Sequence, residues 1–339
     1  MHKSLNIISL DWISGTGTLI SPPLPPFDPG FDVEFMPHGT RVFNNWARIS
    51  YYNRPLIELL YNPKTPILSP HTCHWKISNE YLYQWHGIDS GITIFERIGI
   101  TNAKPTRIDV CADFNLLNNN LNPASFITRI VRGIYCRKYA GRFKVEGTQS
   151  RQPVYHYLRY GSHSSPVSFY LYNKTKELSE VKDKPYIRTI WSKYGLKQNI
   201  DVWRMEFSIK DTRLQFLNKD TSETLNLHNF NYATRSHIGL LFDACLSRYG
   251  SFVINNRTTN ISRMKPISLI TPMLPNTATY MGPVSHASNN LNKFVIKQLM
   301  ALEHEMRIIK SYPESDIAKA ISNYETMHGL QGYSANLMT

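Results

Sequence analysis

The sequence predicts an α+β protein: antiparallel sheet flanked by helices, with a helical C-terminal extension. Two observations carry that reading. Strand-like and helix-like segments are mixed, without the strict strand–helix alternation of a parallel sheet. In addition, three strand segments each carry one apolar and one polar face, as antiparallel strands with a single core face do.

The elements follow in chain order. Leu5 to Ser14 reads as a first strand, and Ser21 to Gly30 as a loop because it holds five prolines. Pro55 to Leu60 is a short helix candidate, and Pro63 to His71 a second proline-broken loop. Trp75 to Tyr83 and Gly91 to Ile98 carry strand-like residues, and Thr106 to Phe114 is a clear strand. Pro123 to Tyr139 has apolar residues at helical spacing, with Asn122 as its N-cap. Val167 to Tyr172 and Val202 to Ile209 are strands. Ser236 to Tyr249 and Asn290 to Ile309 are helices, and Pro313 to Thr339 begins helical and ends in small polar residues. A first domain over residues 1–210 and a helical region over 211–339 are expected.

Composition narrows the function. The chain has 339 residues, 42% apolar and 12% aromatic, which suits a globular core. Lys and Arg number 38 against 25 Asp and Glu, a formal net charge of +13 that points to a polyanionic partner. No stretch approaches the roughly 20 apolar residues of a membrane span, and Met1 to Thr18 makes a poor secretion signal. Cys73, Cys111, Cys136 and Cys245 lie far apart with no CxxC, against both a disulfide scaffold and a four-cysteine zinc site. These features suggest a reduced, cytoplasmic protein that meets nucleic acid and not membrane.

The chemistry sits on the polar faces of three strands. In RIDVCADF, Arg107, Asp109, Cys111 and Asp113 share one face. In VWRMEFSI, Arg204, Glu206 and Ser208 do so, and in VSFYLY, Ser168, Tyr170 and Tyr172. If the three strands join one sheet, Asp109, Asp113, Glu206, Tyr170 and Tyr172 converge, with Lys174 extending the row. Carboxylates so placed suit a hard divalent cation, Mg2+ or Mn2+, which would polarise a phosphate for attack by a tyrosine. Lys174 or Arg204 would stabilise the developing charge. The same pattern also describes a solvated sheet face with cross-strand Arg–Asp pairs.

Between Asn115 and Lys176 the only acid is Glu146. Arg129, Arg132, Arg137, Lys138, Arg142, Lys144 and Arg159 fall there, interleaved with tyrosines. Cations neutralise phosphates and rings stack on unpaired bases, so this stretch is expected to bind single-stranded or locally melted DNA. A solvated basic helix face would look alike. The chain has no His-hydrophobic-His motif, Walker loop or nucleophile elbow. HTCH (His71, Cys73, His74) lacks a second ligand pair at zinc-finger spacing and reads as loop and strand edge.

SLDWIS, TRIDVCADF, FYLYNKTKE and WRMEFSI, in that order over about residues 5 to 210, resemble the replication initiation factor family (the Rep_trans group) of rolling-circle plasmids and some filamentous phages. The resemblance implies a cation-dependent endonuclease and ligase that nicks an origin through a covalent phosphotyrosine. It places Tyr172 on the nucleophile, with Tyr170 as a rival, and Lys174 on a nearby lysine. Asp109 and Glu206 fall on metal-binding acids, Asp113 and Glu177 on further acids, and Asp11 is a weaker candidate. Arg107 and Arg204 fall on flanking arginines, Arg107 toward DNA. The implied fold is an antiparallel sheet of two related halves. The implied partners are origin DNA (single-stranded or a hairpin), a host helicase and polymerase, and a second copy in a homodimer, in a bacterial cytoplasm. The alternatives are a non-catalytic DNA-binding regulator and a phage structural or packaging protein.

Overall fold

The computed structural model describes residues 5–21, 30–84, 91–139, 141–162, 164–210, 214–219, 221–222, 224–226, 235–258, 260–271 and 278–283. The chain divides into two compact units, Met1–Pro283 and Val284–Thr339. The expected helix Asn290 to Ile309 and the tail Pro313 to Thr339 lie outside the described residues.

The first unit is α+β and is organised by one ten-stranded antiparallel sheet. Its first half contains β1 (Ile7–Leu19), β2 (Phe31–Phe35), β3 (Phe43–Tyr51), β4 (Arg54–Pro63) and β5 (Thr72–Ile77). Helices α1 (Asn79–Gln84) and α2 (Gly91–Arg97) follow, then β6 (Ile100–Phe114), α3 (Pro123–Val131) and β7 (Tyr135–Arg137). The second half continues with β8 (Phe143–Gly147), β9 (Tyr155–Tyr160), β10 (Val167–Asn173), α4 (Lys174–Glu180), α5 (Pro185–Lys193) and β11 (Trp203–Ile209). Then come β12 (Leu214–Asn218), β13 (Thr224–Asn226), α6 (Arg235–Tyr249), β14 (Phe252–Ile254), β15 (Pro266–Ile267) and β16 (Ala278–Pro283), whose strands build two small sheets, one of which takes in β7.

The large sheet runs β2-β3-β4-β5-β1-β6-β11-β10-β9-β8. Each half obeys one rule. A long strand, β1 or β6, is followed by a four-strand meander whose last strand, β5 or β11, returns to pair with it. The two long strands pair antiparallel at the centre. The expectation of two related halves is met by this topology.

Several elements differ from the sequence reading. Pro55 to Leu60 lies in β4, because Tyr52 and Asn53 at φ 46° and 60° make a two-residue hairpin turn from β3, fixing the Tyr51–Arg54 pair. Trp75 to Tyr83 is strand only as far as Ile77 and then turns into α1. Gly91 to Ile98 is helical: Phe95 and Ile98, three apart, face the core. The helix from Pro123 has the expected Asn122 cap, which accepts from the Ala124 amide at 2.8 Å, but ends at Val131. Gly133 at φ 70° terminates it, its amide donating to Ile130 and that of Ile134 to Arg129. The chain then enters β7.

Both faces of the central strands are covered. On one, α3, α6 and β14 contribute an aromatic layer, with Phe207 5.3 Å from Phe242 and Phe126 5.1 Å from Phe252. On the other, Tyr83, Leu178, Ile187, Trp191 and Leu196 from α1, α4, α5 and the following turn form a second, smaller core. All seven residues of β11 are therefore buried, and the polar face is not a solvated one. The unit reaches Pro283, so residue 210 falls within it and α6 supports β11 from behind.

The helix ends give a test of local structure. Asn122→Ala and Gly133→Ala are each expected to lower stability by about 1 kcal/mol in urea denaturation, through the lost cap and the left-handed backbone respectively.

Candidate active site

β6, β11 and β10 are adjacent, so the three chemical faces meet. Register sets who faces whom: Asp113, Arg204, Tyr172 and Tyr157 form one cross-strand row, and Cys111, Glu206, Tyr170 and Arg159 the next. Direct cross-strand partners lie on the same face within about 5 Å, so each row is a line of contacts.

Arg204 is the centre of the first row and has no exposed surface. Its Nε and Nη2 donate to the two oxygens of Asp113 at 2.6 and 2.7 Å, a bidentate pair. Its Nη1 donates to Asp11 Oδ1. Asp11 reaches this face because β1 shifts register on β6 between Leu10 and Trp12, a bulge that leaves Asp11 unpaired in the ladder and re-aims its side chain. Trp191 Nε1 donates to Asp113 at 2.7 Å, and the Tyr83 hydroxyl to Asp11 at 2.9 Å. Burial pushes the Asp11 carboxyl up, but Arg204 above all, with Lys174 and Lys184, holds it below the usual carboxylate range.

The Tyr172 hydroxyl donates to Glu206 Oε2 at 2.9 Å. Burial, with Glu206 beside it, pushes the Tyr172 phenol well up. Burial and the negative charges of Asp109 and Asp11 push Glu206 up to about 8. Burial likewise lifts Asp109, although Arg107 donates to it from Nε at 3.0 Å and Nη2 at 2.5 Å. Lys174, at the start of α4, pairs with Glu177 at 2.6 Å and lies 5.5 Å from the centre of the Tyr172 ring. Tyr170 carries no carboxylate on its hydroxyl among the described residues. Its ring lies 6.3 Å from that of Tyr157, which also neighbours Tyr172 at 6.5 Å.

The four candidate metal ligands are not gathered into one cluster. Asp113 spends both oxygens on Arg204 and Trp191, and Glu177 faces Lys174. Among the described residues no three His, Cys, Asp or Glu side chains group as a metal site. Asp109 and Glu206 remain, diagonal neighbours on adjacent strands. Both oxygens of Asp109 accept from Arg107 and Glu206 Oε2 accepts from Tyr172, so this pair of mutually repelling carboxylates suits a divalent cation only with Arg107 released from Asp109. Arg204, expected to stabilise charge on the substrate, has each of its three nitrogens donating to Asp113 or Asp11, so in this structure it holds the acids in place. Arg107, on Asp109, and Lys174, beside the Tyr172 ring, are further cations of this face.

Of the remaining basic residues, Arg137, Arg142, Lys144 and Arg159 line one cleft, whereas Arg129 and Arg132 sit at the end of α3. Arg129 is engaged with Tyr135. Lys138 lies 5.9 Å from the Tyr139 ring. His74 and Cys73 alternate along β5, as the strand-edge reading of HTCH expects, and all four cysteines are free. Sequence reasoning did not single out Trp191, Tyr83 or Tyr157. Tyr157 was within the tyrosine-rich stretch, but nothing in the sequence signals that α1 and α5 fold over this face.

No helix among the described residues is long and apolar enough to cross a membrane. No protein-family model matches the chain, and no curated protein matches it. Among solved structures it is similar to a rolling circle replication initiator protein from Geobacillus stearothermophilus, at 12% identity over 77% of this chain and 92% of that one, with a TM-score of 0.45.

Two outcomes follow from this geometry. Arg204→Met strands Asp113 and Asp11 and is expected to cost about 3–5 kcal/mol in denaturant, much of it recovered in Arg204→Met/Asp113→Leu. Mg2+ or Mn2+ is expected to raise the thermal midpoint. Binding must displace the Glu206 proton held up to about 8, so the rise is larger at pH 8.5 than at pH 6.5 and is lost in Glu206→Gln.

Proposed function

We propose that the protein is a rolling-circle replication initiator that nicks and rejoins one DNA strand at a plasmid or phage origin through a phosphotyrosine at Tyr172. The observation that carries this reading is the Tyr172 hydroxyl on the Glu206 carboxylate at 2.9 Å, within a strongly basic chain.

The chain's own groups supply the steps. Tyr172 Oη attacks the phosphorus; its proton passes to Glu206 Oε2, which already accepts the phenol's hydrogen bond. The new O–P bond links the tyrosine to the 5′ side of the cut, and the P–O3′ bond breaks. The 3′ oxygen takes up a proton and leaves as the hydroxyl that a polymerase extends. Attack by a 3′ hydroxyl on the phosphotyrosine reverses the exchange and rejoins the strand, with no ATP consumed. Lys174 and Arg107 offset charge on the phosphoryl oxygens. Asp109 and Glu206 would hold a bound Mg2+ or Mn2+, which supplies Lewis-acid polarisation of the phosphate. Tyr172 is favoured over Tyr170 because it alone of the two has a carboxylate on its hydroxyl. Origin DNA is the partner this chemistry requires.

The test mixes the purified protein, Mn2+ or Mg2+ and end-labelled single-stranded oligonucleotides tiling its own replicon, read on denaturing gels. Wild type and Tyr170→Phe are expected to give a covalent band, and Tyr172→Phe none, a loss of at least 100-fold. A band that survives Tyr172→Phe moves the nucleophile to Tyr170. Binding without any band in the wild type leaves a non-catalytic DNA-binding protein.

A further inference from the structure

Of the two carboxylates read as cation ligands, one is closed off by the chain itself. Arg107 occupies both oxygens of Asp109, from Nε at 3.0 Å and Nη2 at 2.5 Å. The Asp109 side chain is 3% exposed and that of Arg107 36%, so the guanidinium caps the carboxylate on its solvent side. Trp12 holds Arg107 there. The guanidinium carbon lies 4.5 Å from the centre of the Trp12 ring, and Lys76 Nζ lies 4.2 Å from the same ring. Trp12 is itself fixed: it pairs with Asp109 across β1 and β6, and its Nε1 donates to Ser14 at 2.9 Å. Ser14 is the cross-strand partner of both Lys76 and Arg107. Arg204 is fully buried and bonded to two acids, whereas Arg107 is bonded to one and reaches solvent. Of these two guanidiniums, Arg107 is therefore the one free to exchange its partner.

We propose that Arg107 is a latch on Asp109, released when a DNA phosphate takes the guanidinium, so that a divalent cation and the DNA strand enter the site together. The latch rests on the reading of Tyr172 as a DNA nucleophile and of Asp109 with Glu206 as cation ligands, and adds how that site opens. Charge pairing drives the exchange. A buried carboxylate left alone is costly, so Asp109 gives up Arg107 readily only when another positive charge replaces it. The planar fork that fits a carboxylate fits a phosphate as well. After the exchange every group is again paired, Arg107 with phosphate and Asp109 with the cation. Neither ligand completes it alone. A cation by itself meets a carboxylate already occupied, and a phosphate by itself draws Arg107 off a carboxylate left bare. Each ligand therefore strengthens the binding of the other, and by the same factor. The Trp12 face offers the guanidinium a cation–π contact that survives the change of partner.

The test measures Mn2+ affinity from the paramagnetic resonance signal of free Mn2+, with and without a single-stranded oligonucleotide from the protein's own replicon. Mn2+ held by the oligonucleotide alone is subtracted, and a Tyr172→Phe parent prevents any covalent step. In that parent the oligonucleotide is expected to tighten Mn2+ binding about tenfold. Arg107→Ala is expected to bind Mn2+ about tenfold more tightly than the parent without DNA, and the oligonucleotide then adds less than about threefold. Arg107→Gln keeps a donor for one Asp109 oxygen and is expected to shift the same way by less; it carries the test if circular dichroism shows the alanine variant unfolded. Lys76→Ala removes the other cation on the Trp12 ring, one paired with Glu58 and not with Asp109, and is expected to bind Mn2+ as the parent does. A gain in Lys76→Ala equal to that in Arg107→Ala assigns the effect to net charge and overturns the latch. Mn2+ affinity no tighter in the folded Arg107 variants than in the parent overturns it, as does a parent indifferent to the oligonucleotide. Adduct formation in the wild type is read in parallel. An adduct with no gain of affinity in the Arg107 variants defeats the latch alone; a gain without any adduct defeats the nicking reading and keeps the latch. Mn2+ that binds no variant, with or without DNA, defeats the cation site and the latch with it.

Discussion

A guanidinium with no exposed surface is the constraint on which the chemical face depends. Arg204 comes from β11, Asp113 from β6 and Asp11 from the bulge in β1, so one side chain ties together three neighbouring strands and both halves of the sheet. Burying these charges is costly, and only full hydrogen bonding offsets that cost. Trp191 and Tyr83 supply the remaining donors, and they do so from helices. The network thereby fixes how α1 and α5 lie over the sheet. Tyr172 is the direct cross-strand neighbour of Arg204, and its orientation toward Glu206 follows from the same rigid row.

Covering that face changes the electrostatics of what lies under it. A tyrosine whose phenol is pushed up by burial is a poor nucleophile alone, and a carboxylate whose proton affinity is raised to about 8 is a better base than one in water. The two shifts share burial as their first cause, and both favour the protonated forms of Tyr172 and Glu206. Asp109 adds to the repulsion on Glu206 and is itself restrained by Arg107. The arrangement is one in which pairs of groups are held away from their ordinary ionisation by position, as reactive sites commonly are.

How much of this was legible in the sequence depends on the range over which the signal acts. Alternation along RIDVCADF, VWRMEFSI and VSFYLY correctly assigned each side chain to a face, because the two-residue period is a local property of the strand. The Asn122 cap and the helix ending at Tyr249 were legible for the same reason. Asp11 was named only through the resemblance, and its place on this face was not legible, since a bulge arises from pairing with β6 and leaves no pattern in SLDWIS. The hairpin turn at Tyr52 and Asn53 lacks the glycine that usually marks it, so β4 read as a helix. Arg204 looked like a free cation because nothing local announces that α5 will bring Trp191 onto Asp113. The basic stretch named most of the cleft, and only the fold could add Arg248.

The most direct measurement of the central claim is peptide mapping of the trapped reaction. The wild-type protein would be reacted with an oligonucleotide from its own replicon, digested with nuclease and protease, and its peptides sequenced by mass spectrometry. The account predicts a nucleotide 5′-phosphate on Tyr172, in the peptide that spans the end of β10. A modification on Tyr170, on Tyr157 or on a serine would contradict it, as would a cut strand whose 5′ phosphate is recovered free of protein.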